Sequence, residues 1–127
     1  MTVQTQQAWS VSEAAERVGL TTHTLRWYEQ EGLVEPVGRD SAGRRRYTQE
    51  DLDRLHMLTC LRRTGMPVRD MRRYAELARQ GDATLVARLA LFQEHRERVL
   101  ARIAELQEDL KYIEYKIDWY SGEMAAR

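Results

Sequence analysis

The chain has 127 residues, 43% of them hydrophobic, with 20 basic and 20 acidic side chains that cancel to a formal charge of zero and a pI near 6.8. This suffices for one compact domain with a modest core plus an extension, and the neutral sum by itself argues against a nucleic-acid binder. A single cysteine excludes an intramolecular disulfide and fits a reducing cytoplasm, and no apolar run approaches the length of a membrane span.

The opening MTVQTQQAW has neither the charged front nor the apolar core of a signal peptide or anchor, so residues 1–8 read as a disordered tail. Ser10 followed by Glu13 has the spacing of a capping box, which starts a first helix with Val11, Ala14, Ala15 and Val18 on one face. Gly19-Leu20-Thr21 breaks it, and Thr21 is placed to cap a second helix. Two short helices joined by about three residues that include a glycine make a helix-turn-helix pattern. In the second helix Leu25 and Tyr28, with Leu33 beyond it, form a thin apolar stripe, which leaves Thr22, His23, Arg26 and Trp27 facing outward. Hydroxyls, an imidazole and a guanidinium at this end of a helix suit base edges and phosphates, although such a face is also the ordinary dress of a solvated helix.

Gly32 stops this helix and Pro36 keeps the chain extended. The segment GRDSAGRRRYT then puts turn residues in the middle and Arg44, Arg45, Arg46 and Tyr47 at the closing end, as a two-stranded wing against a phosphate backbone requires. Thr48 caps a third helix with Leu52, Leu55, Leu58 and Thr59 or Leu61 inward, ending at Gly65. Met66-Pro67 restarts the chain, with Pro67 in the first turn of a fourth helix that buries Val68, Met71, Tyr74, Ala75 and Ala78 and carries Arg69, Arg72, Arg73 and Arg79 outside. These arginines are either a second phosphate-gripping surface, with Arg69 and Arg73 foremost, or a solvated face. Residues 39–79 hold eleven arginines against six carboxylates, a net +5 against −5 elsewhere, so one basic face is compatible with the neutral sum.

Beyond Gln80-Gly81-Asp82 there is no Pro or Gly until Ser121-Gly122, which should end a fifth helix. Heptad positions a hold Leu89, Arg96, Ile103, Leu110 and Ile117, and positions d hold Leu85, Phe92, Val99, Leu106, Ile113 and Tyr120. The seam is apolar at all but Arg96 and calls for a partner, most economically a second copy of the chain. The expected division is therefore a tail (1–8), a DNA-binding head (9–80), a dimerisation helix (81–121) and a short tail (122–127).

These motifs resemble MerR-type transcription regulators over nearly the whole chain. The resemblance rests on TLRWYEQEGLVEP, on Gly43-Arg44-Arg45-Arg46-Tyr47, on Asp51-Leu52-Arg54-Leu55 and on Leu61-Arg62-Gly65, with Trp27 and Arg44 standing where the family carries Tyr. It implies a mostly α fold, a winged helix-turn-helix head followed by a long antiparallel coiled-coil helix. It also implies DNA contacts at Thr22, Arg26, Tyr28, Arg45 and Tyr47, and a dimer that bends and undertwists a pseudo-palindromic promoter for RNA polymerase.

The family's metal sensors place cysteines at both ends of the coil, where this chain has none, and His23, His56 and His95 lie on separate helices, so no metal or other cofactor is expected. Cys60, in LTCLRRTGMPVRDM, resembles the thiol-based, aldehyde- and electrophile-responsive branch. His56 one turn earlier, with Arg62 and Arg63, supplies surroundings that favour a thiolate, while a lone helical cysteine is otherwise a small buried apolar residue. An antiparallel coil would bring Tyr112, Tyr115, Trp119 and Tyr120 of one copy toward Cys60 of the other. Two other classes compete: an effector-less architectural or recombination-accessory DNA binder, and an enzyme such as a one-cysteine peroxidase. The latter lacks a positioned base, an oxyanion loop or a cofactor motif.

Overall fold

The computed structural model describes residues 8–34 and 37–127, so the expectations for residues 1–7 and for Pro36 lie outside the described residues. By internal contacts the chain divides into two compact units, Met1–Arg88 and Leu89–Arg127.

The first unit is built on four helices: α1 (Val11–Val18), α2 (Thr22–Gln30), α3 (Gln49–Arg63) and α4 (Val68–Arg79), followed by a 3-10 turn at Gly81–Thr84. Local chemistry sets the starts of the first three. Ser10 and Glu13 form the reciprocal capping box, Thr21 accepts from the Thr24 N–H, and Thr48 and Asp51 form a second capping box. Each satisfies first-turn N–H groups that have no partner within the helix. The Glu13 carboxyl is held below its ordinary range by the Ser10 backbone N–H and then by the Ser10 hydroxyl. On α3, Glu50 and Asp51 in the first turn and Arg62 and Arg63 in the last also match the helix dipole. Pro67 differs from the expectation: it is the N-cap of α4, with φ −61° and ψ 147°, one position before the first turn. A proline has no N–H to leave unsatisfied there, and its fixed φ suits either place.

Helix α2 ends at Gln30 with Glu31 as its C-cap, and Gly32 follows with φ +73°, a left-handed conformation that a Cβ would strain. There the Gly32 N–H donates to Glu29 and the Leu33 N–H to Tyr28, which turns the chain inward and buries Leu33. The core gathers Ala14, Leu25, Tyr28, Leu55, Leu58 and Met71 from all four helices, each 1% exposed or less. Leucines of this kind contribute about 2 kcal/mol each by leaving water. Ala78, expected inside, is exposed, because the buried face of α4 is the narrow pair Met71 and Ala75.

The wing is smaller than expected. No strand forms among the described residues; an antiparallel bridge joins Arg39 to Arg45 and another joins Trp9 to Tyr47. Asp40 explains the economy. Its Oδ1 accepts from the Ala42 and Arg44 N–H groups at 2.9 and 3.0 Å, so a side chain closes the turn where further ladder bonds would otherwise be needed. Gly43 takes φ +79° at the end of that turn. The Trp9–Tyr47 bridge, two backbone bonds of 2.8 Å, ties the entry of α1 to the foot of the wing.

Helix α5 runs from Leu85 to Ala126, 42 residues or about 63 Å. Ser121-Gly122 does not end it. A single interior glycine costs roughly 1 kcal/mol relative to alanine, and Glu123, Met124, Ala125 and Ala126 beyond it all favour helix. Most of the predicted seam is open: Leu85, Leu89, Ile103, Leu106, Leu110, Ile113, Ile117 and Tyr120 are 45–59% exposed, whereas Phe92 and Val99 are half-buried. None of the helices is long and apolar enough to cross a membrane among the described residues.

Candidate nucleic-acid interface

Helix α2 offers one face to the core and one to its surroundings. Leu25 and Tyr28 are each 1% exposed, and their burial fixes the helix so that His23 and Arg26 are exposed, with Thr22 half-buried beside them. A rigid helix that presents an imidazole and a guanidinium can enter a major groove and meet base edges. Arg44 stands at the wing tip with 77% of its side chain exposed, its Nε 3.3 Å from Asp40 Oδ2, and Arg46 shares the same carboxylate at 3.6 Å. The Asp40 carboxyl lies below its ordinary range, chiefly because it accepts the Arg44 and Ala42 backbone N–H groups and then because of the two guanidiniums. An exposed ion pair of this kind is weak and readily exchanged, so Arg44 remains available to a phosphate.

Arg45 and Tyr47 have other occupations. Arg45 Nε lies 2.9 Å from Glu29 Oε2, with side chains 27% and 14% exposed, an ion pair rather than an aligned hydrogen bond. It ties the wing to the last turn of α2. Tyr47 is 2% exposed, and its hydroxyl finds no hydrogen-bond partner among the described residues. Burial pushes its phenol above the ordinary value, with the nearby Glu29 carboxylate adding to the effect. Tyr28 and Tyr47, which the resemblance places on DNA, are core rings in this structure.

On α4, Arg69 and Arg73 are exposed, with Arg69 Nε 3.9 Å from Asp70 Oδ1. The same row is partly structural, because Arg72 pairs with Glu31 and Arg79 donates to the Gly32 carbonyl at 2.6 Å, both at the C-terminal end of α2. Sequence spacing gave no sign of these long-range ties.

Cys60 is exposed on α3, against the reading of a small buried apolar residue. No cluster of three or more metal-ligating side chains occurs among the described residues. His23 is on α2, His56 on α3 and His95 on α5. Toward the end of α5, Tyr112, Tyr115, Trp119 and Tyr120 are all exposed. Lys116 Nζ lies 5.9 Å from the Tyr112 ring centre and 5.8 Å from that of Trp119, a cation shared between two faces.

Comparison with known proteins bears on what this surface does. The family model described as MerR HTH family regulatory protein matches residues 9–77, and the model described as MerR, DNA binding matches residues 52–113. An uncharacterized HTH-type transcriptional regulator of Haemophilus influenzae is 44% identical over 112 residues, covering 88% of this chain and 83% of its own. The HTH-type transcriptional regulator AdhR of Bacillus subtilis is 34% identical over 91 residues, which are 72% of this chain and 65% of AdhR. Among solved structures, HiNmlR, described as a MerR family regulator lacking the sensor domain, bound to promoter DNA, superposes with a TM-score of 0.87 at 42% identity, covering 94% of each chain.

Proposed function

The chain belongs to the MerR HTH family of transcription regulators, and from that premise we propose that it binds a pseudo-palindromic operator in double-stranded promoter DNA as a homodimer. The observation that carries this reading is the exposed His23–Arg26 face of α2, held rigid by Leu25 and Tyr28 and flanked by the wing's Arg44. Thr22, His23 and Arg26 reach into the major groove, and Arg44, Arg69 and Arg73 take backbone phosphates, which fix register without reading sequence. The chain acts as a cytoplasmic regulator and not as an enzyme.

The open seam on α5 supports dimerisation through an antiparallel coiled coil, which sets the distance between two heads and so the geometry imposed on the duplex. Bending or undertwisting a site of this size costs of order 1–6 kcal/mol, offset by the contacts that the bend permits. Such distortion realigns promoter elements for RNA polymerase, the third partner on the same DNA.

Cys60 is the sensor in this reading. Its exposure supports access by an aldehyde, another electrophile or an oxidant, and the aromatic end of the partner's α5 approaches this region in an antiparallel dimer. Modification of the thiol shifts that contact and the angle between heads. The test is a promoter binding and transcription assay on the intact protein and on Cys60→Ser, each with and without an aldehyde. The reading expects both to bind operator and only the intact protein to change transcription on treatment. An equal response from both leaves DNA binding standing and removes Cys60 from signalling, whereas failure of the intact protein to bind any operator rejects the whole reading.

A further inference from the structure

Beside the apolar seam of α5 run the heptad positions g, which hold Arg88, His95, Arg102, Asp109, Lys116 and Glu123. The ion pairs Arg96–Glu97, Lys111–Glu108 and Arg127–Glu123 are local to their own stretches of the helix, and Arg102 and Asp109, both exposed, enter none of them. Two antiparallel copies that overlap along nearly all 42 residues set Ile103 of one against Leu106 of the other, Leu110 against Val99, Ile117 against Phe92 and Leu89 against Tyr120. The two-fold axis then falls between Ala104 and Glu105. In this register Arg102 of each copy faces Asp109 of the other, so two ion pairs bracket the axis. A slide of one heptad in either direction replaces them with like charges, Arg102 on Arg102 or Asp109 on Asp109. A slide of two heptads strands Leu85, Leu89 and Phe92, or else Ile113, Ile117 and Tyr120, without a partner. A parallel pair stacks Arg96 on Arg96 within the seam and sets Asp109 against Glu114. Of the remaining g positions, Arg88 comes opposite Glu123, whereas Lys116 comes opposite His95, a ring buried in its own chain, and keeps to the Tyr112 and Trp119 rings.

We propose that Arg102 and Asp109 select the partner of this chain: they admit a second copy in one antiparallel register and reject a slid, parallel or foreign helix that brings like charge to either position. This rests on the dimerisation reading above and deepens it, because a stripe of leucine and isoleucine packs similarly one heptad further on and does not by itself choose a register. An exposed ion pair attracts only weakly. The selection comes from the difference between two attractive and two repulsive contacts, since the two-fold axis doubles each of them. The register fixes the separation of the two Leu85 residues at about 58 Å along the coil, at ~1.5 Å per residue. A one-heptad slide changes that by about 10 Å, some three base pairs of duplex at about 3.4 Å each. A homodimer that reads two half-sites therefore needs the register as well as the seam.

The test uses the full chain as Arg102→Asp, as Asp109→Arg and with both exchanged, followed by sedimentation and by pairing between differently tagged copies. Each single exchange should weaken self-association by roughly 10-fold, because it sets like charges together twice in the dimer. Mixed with one another, the two single variants should pair in preference, since both contacts across the axis are then opposite in charge. The double exchange should self-associate as the wild type does and be refused by it. Register is read separately from spin labels on Ala101→Cys and on Glu108→Cys, each in a Cys60→Ser background. Both positions lie on the outer face at equal distances from the axis, so the two label-to-label distances should match. A one-heptad slide instead brings one pair level and offsets the other by about 21 Å along the helix. Unequal distances, or single exchanges that neither weaken self-association nor favour mixed pairs, overturn the proposal and leave dimerisation through the seam intact. A wild-type chain that sediments as a monomer rejects the dimerisation reading, and the present proposal with it.

Discussion

Arg45 on the wing and Glu29 in the last turn of α2 form an ion pair of 2.9 Å between elements that no backbone hydrogen bond connects directly. With both side chains mostly buried, the pair fixes how the wing stands relative to the recognition helix. Glu29→Gln leaves the Arg45 charge unmatched and should lower folding stability by about 1–2 kcal/mol. It should weaken operator binding through lost preorganisation while leaving the salt slope unchanged. If Arg45 were instead a phosphate contact, Arg45→Gln would lower that slope by about 0.9. Chemical denaturation of both single variants and the double variant measures the coupling, and purely additive effects would refute the tie.

Tyr47 poses the reverse case, a polar group that the fold leaves unpaired. Its hydroxyl is buried without a hydrogen-bond partner among the described residues, and such a group costs about 1–3 kcal/mol. Tyr47→Phe keeps the ring and removes the orphan, so thermal unfolding should move upward, by the equivalent of about 1 kcal/mol. Operator affinity should not change. A drop in stability would mean that the hydroxyl has a partner, and a drop in affinity alone would return Tyr47 to the DNA surface.

How much of this was legible beforehand depended on distance along the chain. The Ser10–Glu13 capping box and the Thr48 cap were readable because their chemistry is complete within four residues, whereas the Asp51 half of the second box came only with the structure. The leucine spacing of α3 likewise put Leu52, Leu55, Leu58 and Leu61 inside. Tyr28 shows two lines of reasoning in conflict: helical periodicity placed it inward with Leu25, family resemblance placed it on DNA, and its burial agrees with the periodicity. The ties that assemble the site, Glu29 to Arg45, Glu31 to Arg72 and Trp27 to Arg62, join residues 16 to 41 positions apart and leave no local pattern. The wing looked longer in sequence because Asp40 does through one carboxylate what a strand ladder does through backbone.

That carboxylate gives the wing a pH dependence with a definite sign. The Asp40 carboxyl in the folded chain lies below its ordinary value of 3.8, first because of the Arg44 backbone N–H, so folding favours the ionised form. Its contribution is complete above the ordinary carboxylate range and is lost as pH falls through the lowered folded value. Amide chemical shifts of Ala42 and Arg44 followed by acid titration should therefore move together with a midpoint below 3.8. Asp40→Asn should abolish that shared transition. A midpoint at or above the ordinary value would show that the turn does not depend on the charge.

The seam on α5 decides whether two heads act as one. Leu106 and Leu110, at adjacent d and a positions, are 57% and 51% exposed on a helix about 63 Å long, and the proposed dimerisation rests on this apolar stripe. Replacing both with Asp puts two carboxylates per chain into the seam, where they would face one another or apolar neighbours without compensation. The variant should sediment as a monomer, with the helix content of the head retained. A monomer engages one half-site at a time, so operator affinity should fall by at least about 100-fold while weak binding to unrelated duplex persists. A double variant that still sediments as a dimer would move the interface off this stripe. A monomer with undiminished operator affinity would mean that one head suffices, and that the coil does not set the geometry of the DNA.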